Sequence, residues 1–323
     1  MNNIVDIKWT PKAEKVEGQI PDINHCNFEA KHTPLYIMRD NTAIYNGALT
    51  QLTKDQGQAV IRTDTGGFLG RTGGRYGIGQ NREIHNWVSR GIEAAFTKAD
   101  RKDAELKEQT SDGGAFCKWT ITFPSMGQKI RQLRDATGYN AARYGQGHAD
   151  TWLNFSISVV NSFNGLTPVF VTSEHQDVSC LNSLTMSFQD TTRLRHSTNL
   201  DVSTLAEWIE NEALNFKTKI AVWQSWANKA ITSDQAAETL KLCGVSDRLT
   251  KQLMDQFEQE ADQRGRSVWA LASSLSFMST HNSERFGVRG SAKKDNEARS
   301  LHARQNQVLK IMNQPAWAEL AAA

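Results

Sequence analysis

Residues 117–123, Cys-Lys-Trp-Thr-Ile-Thr-Phe, alternate apolar and polar side chains. Successive side chains of a strand point to opposite faces, so the apolar set from Cys117 to Phe123 falls on one face. The other face carries Lys118, which we expect to point toward solvent, as in an antiparallel sheet covered on one side. Residues 153–159 repeat the pattern with Leu, Phe, Ile and Val at alternate positions. Both segments predict half-buried strands.

A glycine-rich stretch upstream predicts a β-hairpin. Residues 58–63 and 68–71 are short apolar runs separated by Asp-Thr-Gly-Gly, which is typical of a tight turn. Residues 84–95 then place apolar side chains at i, i+3 and i+4, which predicts an amphipathic helix. The charged stretch 98–112 predicts a surface loop or a short helix, and residues 127–150 predict a mobile insertion.

Beyond residue 201 the sequence is typical of helices, with Pro315 as its one proline. Helical periodicity predicts five helices, at residues 203–227, 233–243, 247–264, 267–278 and 297–312. We therefore expect an α+β fold: a small antiparallel sheet with a Gly-rich β-hairpin and a packed helix, followed by an all-helical C-terminal region. The predicted domains are an N-terminal arm at 1–50, an α+β core domain at 51–200 and a helical C-terminal region at 201–323.

Composition restricts the class of protein. With 323 residues, of which 39% are hydrophobic and 22% charged, the chain is neither collagen-like nor wholly disordered. The four cysteines lie far apart, which favours reduced thiols and a cytoplasmic protein. No apolar run approaches the length of a membrane span, and the N-terminus lacks the pattern of a secretory signal. We therefore expect a protein of the cytoplasm that does not associate with membranes.

Motifs for enzymatic chemistry are missing from the sequence. The glycine-rich run 66–79 lacks the Gly-Lys-Ser/Thr ending of a phosphate loop, and Arg82 stands where a dinucleotide fingerprint needs Gly or Ala. The histidines and acids around His148 and His175 do not have metal-ligand spacing. We therefore expect no cofactor, no metal and no catalytic residue, although two carboxylates brought together by the fold could still form an acid/base or Mg²⁺ site.

Basic clusters are the main functional indication. Residues 118–143 hold five Lys or Arg against one acid, and residues 281–312 hold seven against three. Arg193 and Arg195 flank Leu194, so on a strand both would lie on the same face, away from the core. Such segregated charge is typical either of a phosphate-binding groove or of an ordinary solvated surface.

Several segments together resemble an uncharacterised family of phage and plasmid proteins that is described as a domain of unknown function. The hairpin residues 60–70, Val-Ile-Arg-Thr-Asp-Thr-Gly-Gly-Phe-Leu-Gly, are followed by Arg75-Tyr76 and Gln80-Asn81. Residues 161–165 are similar to that family's Asn-Ser-His-Asp-Gly turn, although Phe163 and Asn164 depart from it.

The resemblance continues with Val178–Leu184 and Arg195-His196-Ser197, and it covers roughly residues 50–312. It implies a product of a phage or mobile element that works in a bacterial cytoplasm. It also marks six polar residues as candidates for a site: Arg62, Asp64, Arg75, Asn182, Arg195 and His196. The alternative for two of them is structural, since Asp64 could form a turn and Asn182 could be a buried amide.

The leading hypothesis is a phage DNA-binding protein of replication or recombination, which binds or anneals single-stranded DNA as an oligomer without nucleotide hydrolysis. The similarity to single-strand annealing proteins is an analogy of fold alone. Its candidate DNA contacts are Arg62, Arg71, Arg75, Tyr76 as a stacking platform, Lys118, Arg193, Arg195 and His196. Two alternatives remain: a protein-interaction factor, such as a host-defence antagonist or a self-assembling component, and a metal-dependent nuclease.

Overall fold

A computed structural model describes residues 17–38, 52–130, 151–177, 183–184, 191–285 and 297–322. These residues form two antiparallel sheets and a C-terminal helical region, which confirms the predicted α+β class. The strands are β1 (Ala30–Met38), β2 (Leu52–Arg62), β3 (Phe68–Gly73), β4 (Glu105–Ser111), β5 (Phe116–Ile130), β6 (Thr151–Ser162), β7 (Val169–Asp177), β8 (Ser183–Leu184) and β9 (Thr191–Leu194). The helices are α1 (Asn81–Ala95), α2 (Thr204–Asn228), α3 (Ser233–Leu242), α4 (Asp247–Arg264), α5 (Val268–Arg285), α6 (Glu297–Met312) and α7 (Pro315–Ala322).

The three-stranded sheet has the order β1-β2-β3 and contains the predicted hairpin. Its β2–β3 register shifts, because Ile61 pairs with Phe68 whereas Val60 pairs with Gly70. Leu69 is thus an extra residue on β3, which is the definition of a β-bulge. Leu69 and Gly70 are both buried as a result, and Phe68 and Arg71 on either side of them are both exposed.

The six-stranded sheet has the order β4-β5-β6-β7, and β8 and β9 both pair with β7. The alternation predicted at 117–123 and 153–159 is confirmed, since the apolar residues of both segments are fully buried. All of them except Leu153 pack against α1 and the first half of α2 in one hydrophobic core, whereas Leu153 packs against the C-terminal helices. Cross-strand pairing in register, such as Ile121 with Ile157, keeps this face continuously apolar.

The N-terminal segment belongs to that core. Ile23, Cys26 and Phe28 are buried within it, and β1 is a strand of the three-stranded sheet. The Glu108 carboxylate on β4 accepts backbone N–H groups from residues 24, 25 and 26, at 3.0, 3.2 and 2.9 Å. Such a turn of successive N–H donors is a good site for an anion, and here a side chain of the same protein fills it.

The charged stretch 98–112 is not a loop or a short helix over its second half. Residues 105–111 form β4, the edge strand that pairs with β5. Its charged residues Glu105 and Lys107 are exposed, as is common on a strand that must not attract further strands. Residues 127–130 continue β5, and the rest of the predicted insertion lies outside the described residues.

The C-terminal helices form a second apolar core that contains Trp223, Trp226, Trp269 and Trp317. Helices α4 and α6 coincide with the predicted ranges, and α5 extends beyond its predicted end to Arg285. Helix α3 begins with a reciprocal capping box between Thr232 and Gln235. Helix α2 contributes to both cores, so it joins the sheet region to the helical region. Within the described ranges, none of the helices has the length and apolar character needed to cross a membrane.

Candidate nucleic-acid interface

Two candidate residues from distant parts of the sequence are in contact. The rings of Tyr76 and His196 stack, with centroids 4.7 Å apart and planes inclined by 21°. The Tyr76 hydroxyl donates to the Ser162 carbonyl at 2.6 Å, and His196 Nδ1 donates to the Gly77 carbonyl at 3.1 Å. A Cβ at Gly77 would lie 1.9 Å from the Ser197 carbonyl oxygen, so only glycine permits this approach. The segments around residues 76 and 196 are therefore packed tightly together.

Burial fixes the protonation of both rings. It raises the pKa of the Tyr76 hydroxyl, which therefore stays protonated and donates its hydrogen bond. It lowers the pKa of His196, although the hydrogen bond to Gly77 acts in the opposite sense. His196 is consequently neutral near pH 7 and contributes no positive charge to the surface.

This stack places two exposed arginines on adjoining segments. Arg75 immediately precedes Tyr76, and Arg195 immediately precedes His196; both side chains are exposed. Arg71, on the strand that leads to this junction, is exposed as well. The structure therefore brings the Arg75-Tyr76 and Arg195-His196 pairs together, and we name Arg71, Arg75 and Arg195 the arginine cluster.

Tyr76 is not an exposed stacking platform. One face of its ring is covered by His196, and His32 approaches edge-on at 6.1 Å, so the ring holds the junction together. The exposed aromatic ring of this region is Phe68, whose exposed fraction is 61%. Sequence reasoning missed Phe68 because apolar side chains in a hairpin are ordinarily assigned to the core, and the bulge that turns it outward has no clear sequence signal.

Arg62 and Asp64 pair with each other at the hairpin turn. Arg62 donates through Nε and Nη2 to the two Asp64 oxygens, at 3.0 and 2.7 Å. The guanidinium also lies 3.9 Å above the Phe28 ring and donates to the Gly113 carbonyl. These hydrogen bonds from Arg62 lower the pKa of Asp64 to about 2. Arg62 thus links the hairpin to the N-terminal segment and to the turn before β5.

Lys118 was expected to point to solvent, and this prediction is wrong. Its side chain is buried beneath α6, where Nζ donates to Gln305 Oε1 at 2.6 Å and lies 3.6 Å from Glu174 Oε1. Burial lowers the pKa of Lys118, an effect that the Glu174 carboxylate opposes. A nucleic acid cannot reach this ammonium group without displacing α6. Alternation along β5 correctly assigned Lys118 to the face opposite the apolar core, but it contains no information on the helix that covers that face.

The other members of this buried polar cluster are uncharged or paired. Burial and the nearby charges of Lys118 and Arg193 lower the pKa of His302 to about 4, so its ring is neutral. Asn306 donates to His302 Nε2 at 2.9 Å. The cavity between the sheet and α6 measures about 10 Å³, which is room for about one water molecule. It is too small for a substrate.

Arg193, Arg195 and Asn182 are the candidates whose positions remain to be described. Arg193 lies on β9 with its guanidinium 5.0 Å from the centre of the Phe170 ring, on the same face of the sheet as Lys118. Arg195 lies beyond Leu194, where β9 ends, so the rule for alternate residues of a strand does not relate the two arginines. Asn182 lies outside the described residues.

Among the residues that the structure describes, no three His, Cys, Asp or Glu side chains lie close enough together to hold a metal ion. Comparison of the chain with protein-family models, curated proteins and solved structures finds no match in any of the three.

Proposed function

We propose that the protein binds single-stranded DNA through the arginine cluster. The observation that carries this proposal is the Tyr76–His196 stack, which joins two distant segments and leaves an arginine exposed on each. A junction of this kind fixes the backbone positions of Arg75 and Arg195 relative to each other, so less conformational entropy is lost when both bind one ligand. Guanidinium groups bind phosphate oxygens through paired N–H donors, which makes arginine well suited to a phosphate backbone.

The charge distribution supports binding at this place in particular. The net charge of the chain is only +2, so nonspecific attraction over the whole surface is weak. Among the DNA-contact candidates identified from the sequence, Arg62 forms an ion pair with Asp64, and Lys118 is buried under α6. Arg193 is exposed but lies over the Phe170 ring on β9. Arg71, Arg75 and Arg195 are exposed on the segments that meet at the Tyr76–His196 stack, and we expect phosphates to be bound there.

We further propose that this binding serves replication or recombination of a phage or mobile element in a bacterial cytoplasm. The resemblance of the hairpin and of the Arg75-Tyr76 and Arg195-His196 pairs to phage and plasmid proteins supports this setting. Annealing of complementary strands by a self-associating form is the activity we expect, because it requires bound phosphates and accessible bases but no nucleotide hydrolysis.

Fluorescence anisotropy of a labelled, unstructured oligonucleotide tests the proposal. The wild-type protein is titrated at several salt concentrations, beside the double variant Arg75→Glu/Arg195→Glu. A matched control is Arg248→Glu/Lys251→Glu, which makes the same change in net charge on exposed residues of α4. We expect the first variant to weaken binding at least tenfold and to reduce the dependence of log Kd on log salt by about 1.4, from about 0.7 per lost phosphate contact.

The control distinguishes local contact from overall charge. Equal weakening by both double variants would mean that binding is nonspecific attraction and would contradict the assignment to the arginine cluster. Absence of binding by the wild-type protein at low salt would overturn the proposed function itself. Tighter binding to matched duplex than to the single strand would overturn the preference for single strands.

A further inference from the structure

We propose that Phe68 stacks on a nucleobase of the bound strand, so that the protein recognises bases as well as phosphates. This inference rests on the proposed function and identifies the ligand of the same surface as a single strand with unpaired bases. Bases in a duplex are stacked on one another and present only their edges, so a side-chain ring cannot lie against a base face there.

Exposure of Phe68 is the first observation. Its exposed fraction of 61% contrasts with Leu69, the next residue, at 4%. Burying a phenylalanine side chain stabilises a protein, so a ring left in water forgoes that gain. An apolar side chain at one strand position is no evidence of function alone, and its surroundings decide what can cover it.

The bulge at Leu69 is the second observation. Residues three apart on a regular strand lie on opposite faces, but the extra residue places Phe68 and Arg71 on the same face. Their partners on β2, Ile61 and Ala59, are two residues apart. The separation along the strand is therefore about 7 Å. The Arg71 side chain extends from its row over Gly57, away from Phe68, so the ring can contact a base while the guanidinium contacts a phosphate farther along the same strand.

The rest of this outer face favours a polyanion. In strand register, the row through Phe68 continues across Ile61 to Lys31, and the row through Arg71 continues across Ala59 to Thr33. Lys31 is exposed, so a cation lies in the same row as the ring and another lies in the next row. A face built to dock an apolar protein surface would be depleted of such charges around its ring.

Gly57 keeps this face open for Arg71. A Cβ at Gly57 would lie 2.9 Å from Arg71 Nε and 3.4 Å from its Cγ, so the arginine side chain passes directly over the glycine. Arg71 lies opposite Ala59 of β2, and Gly57 is the next residue of β2 on the same face. Neither has a side chain larger than a methyl group. Ala59 is only 4% exposed, so we expect a bound strand to contact the Arg71 side chain here rather than the backbone of β2.

The experiment compares two oligonucleotides with the same phosphates. One is oligo(dT), and the other is the same length of abasic sugar-phosphate backbone; both are titrated with wild-type protein, Phe68→Ala, Phe68→Trp and Leu242→Ala. Leu242 is the matched control, because it is also apolar and is 67% exposed but lies at the end of α3, in the helical region. Thermal melts establish that each variant is folded.

We expect wild-type protein to bind oligo(dT) about tenfold more tightly than the abasic strand, since one base–aromatic stack is worth about that factor. Phe68→Ala should abolish this ratio without weakening the binding of the abasic strand, and Phe68→Trp should restore it. Leu242→Ala should leave both affinities unchanged.

Two results would overturn the inference while leaving the proposed function intact. One is equal binding of both oligonucleotides by wild-type protein, and the other is an unchanged ratio in Phe68→Ala. A loss of affinity for both oligonucleotides in Phe68→Ala would also overturn it, because the ring would then act through the backbone of β3. Failure of wild-type protein to bind either oligonucleotide would instead refute the proposed function.

Discussion

The two faces of the six-stranded sheet are built from alternate residues of the same strands, yet they are buried in different ways. One face presents Trp119, Ile121 and Phe155 to an apolar core. The opposite face presents mainly lysine, glutamate, serine and threonine, with a small apolar cluster of Phe116, Val160 and Phe170 against Ala298 of α6. Lys118, Ser158 and Glu174 on this face are as buried as the apolar residues. Alternating polarity along a strand therefore distinguishes the two faces without saying which of them meets water.

The polar face satisfies its own hydrogen bonds row by row. Three pairs of hydroxyl groups face each other across neighbouring strands: Thr120 with Ser158, Thr122 with Ser156 and Thr172 with Thr191, at 2.7, 3.0 and 3.2 Å. Buried polar groups that are paired contribute little net stability, whereas an unpaired group is costly. The comparison teaches that the apolar face supplies most of the stability and that the polar face fixes where α6 can dock.

The largest expected effect is on the apolar face. Trp119→Ala removes a fully buried indole and should reduce the free energy of unfolding by about 3–5 kcal/mol. Its neighbour Thr120→Ala, on the polar face, should cost only about 1 kcal/mol, because it loses one hydroxyl contact with Ser158. Urea unfolding of both variants measures the difference. Equal losses would contradict the assignment of most stability to the apolar face.

A smaller effect is expected from the buried ion pair. Lys118→Met leaves the Glu174 carboxylate without its cation in a buried site and should cost about 3 kcal/mol. The double variant Lys118→Met/Glu174→Leu removes both charges and should recover most of that loss. Urea unfolding of the single and double variants tests this coupling. No recovery of stability in the double variant would show that Lys118 and Glu174 do not stabilise each other.

The smallest of the three effects is a pH dependence. Folded His302, near Lys118 and Arg193 and across from Glu174, has a pKa of about 4. The unfolded chain takes up this proton first as the pH falls below about 6.5, so stability is lost between pH 6.5 and 4. By pH 5 the loss should be about 2 kcal/mol relative to pH 8. His302→Leu should remove this part of the dependence of the free energy of unfolding on pH. An identical pH dependence in the wild-type protein and the variant would contradict the prediction.

Local sequence patterns were sufficient where local forces decide the structure. The periodicities of α4 and α6, the hairpin at residues 58–71 and the alternation at residues 117–123 were all predicted. Strand β4 was missed because its charged residues at an exposed edge give no apolar alternation. The burial of residues 17–30 was missed because it depends on contacts with groups far along the chain, such as Glu108.

The candidate site was predictable as a set of residues but not as an arrangement. The sequence identified Arg75, Tyr76, Arg195 and His196, and nothing in it indicated that the two rings would stack. Lys118 was misplaced because the helix that covers it is distant in sequence. Phe68 was missed because a single extra residue in β3 reverses the face on which it lies. Each of these features depends on long-range packing or on a local irregularity.

The carboxylate of Glu108, which accepts the N–H groups of residues 24–26, also has a consequence for the order of folding. Residues 17–30 leave the ribosome well before Glu108, and their contacts with it close loops of more than 80 residues. Contacts of such high sequence separation form slowly, because the loop entropy is lost before they are made. The turn at residues 24–26 therefore gains its carboxylate only after β4 has been synthesised, whereas the contacts of Cys26 and Glu29 with Asn81 and Thr63 close shorter loops and can form earlier.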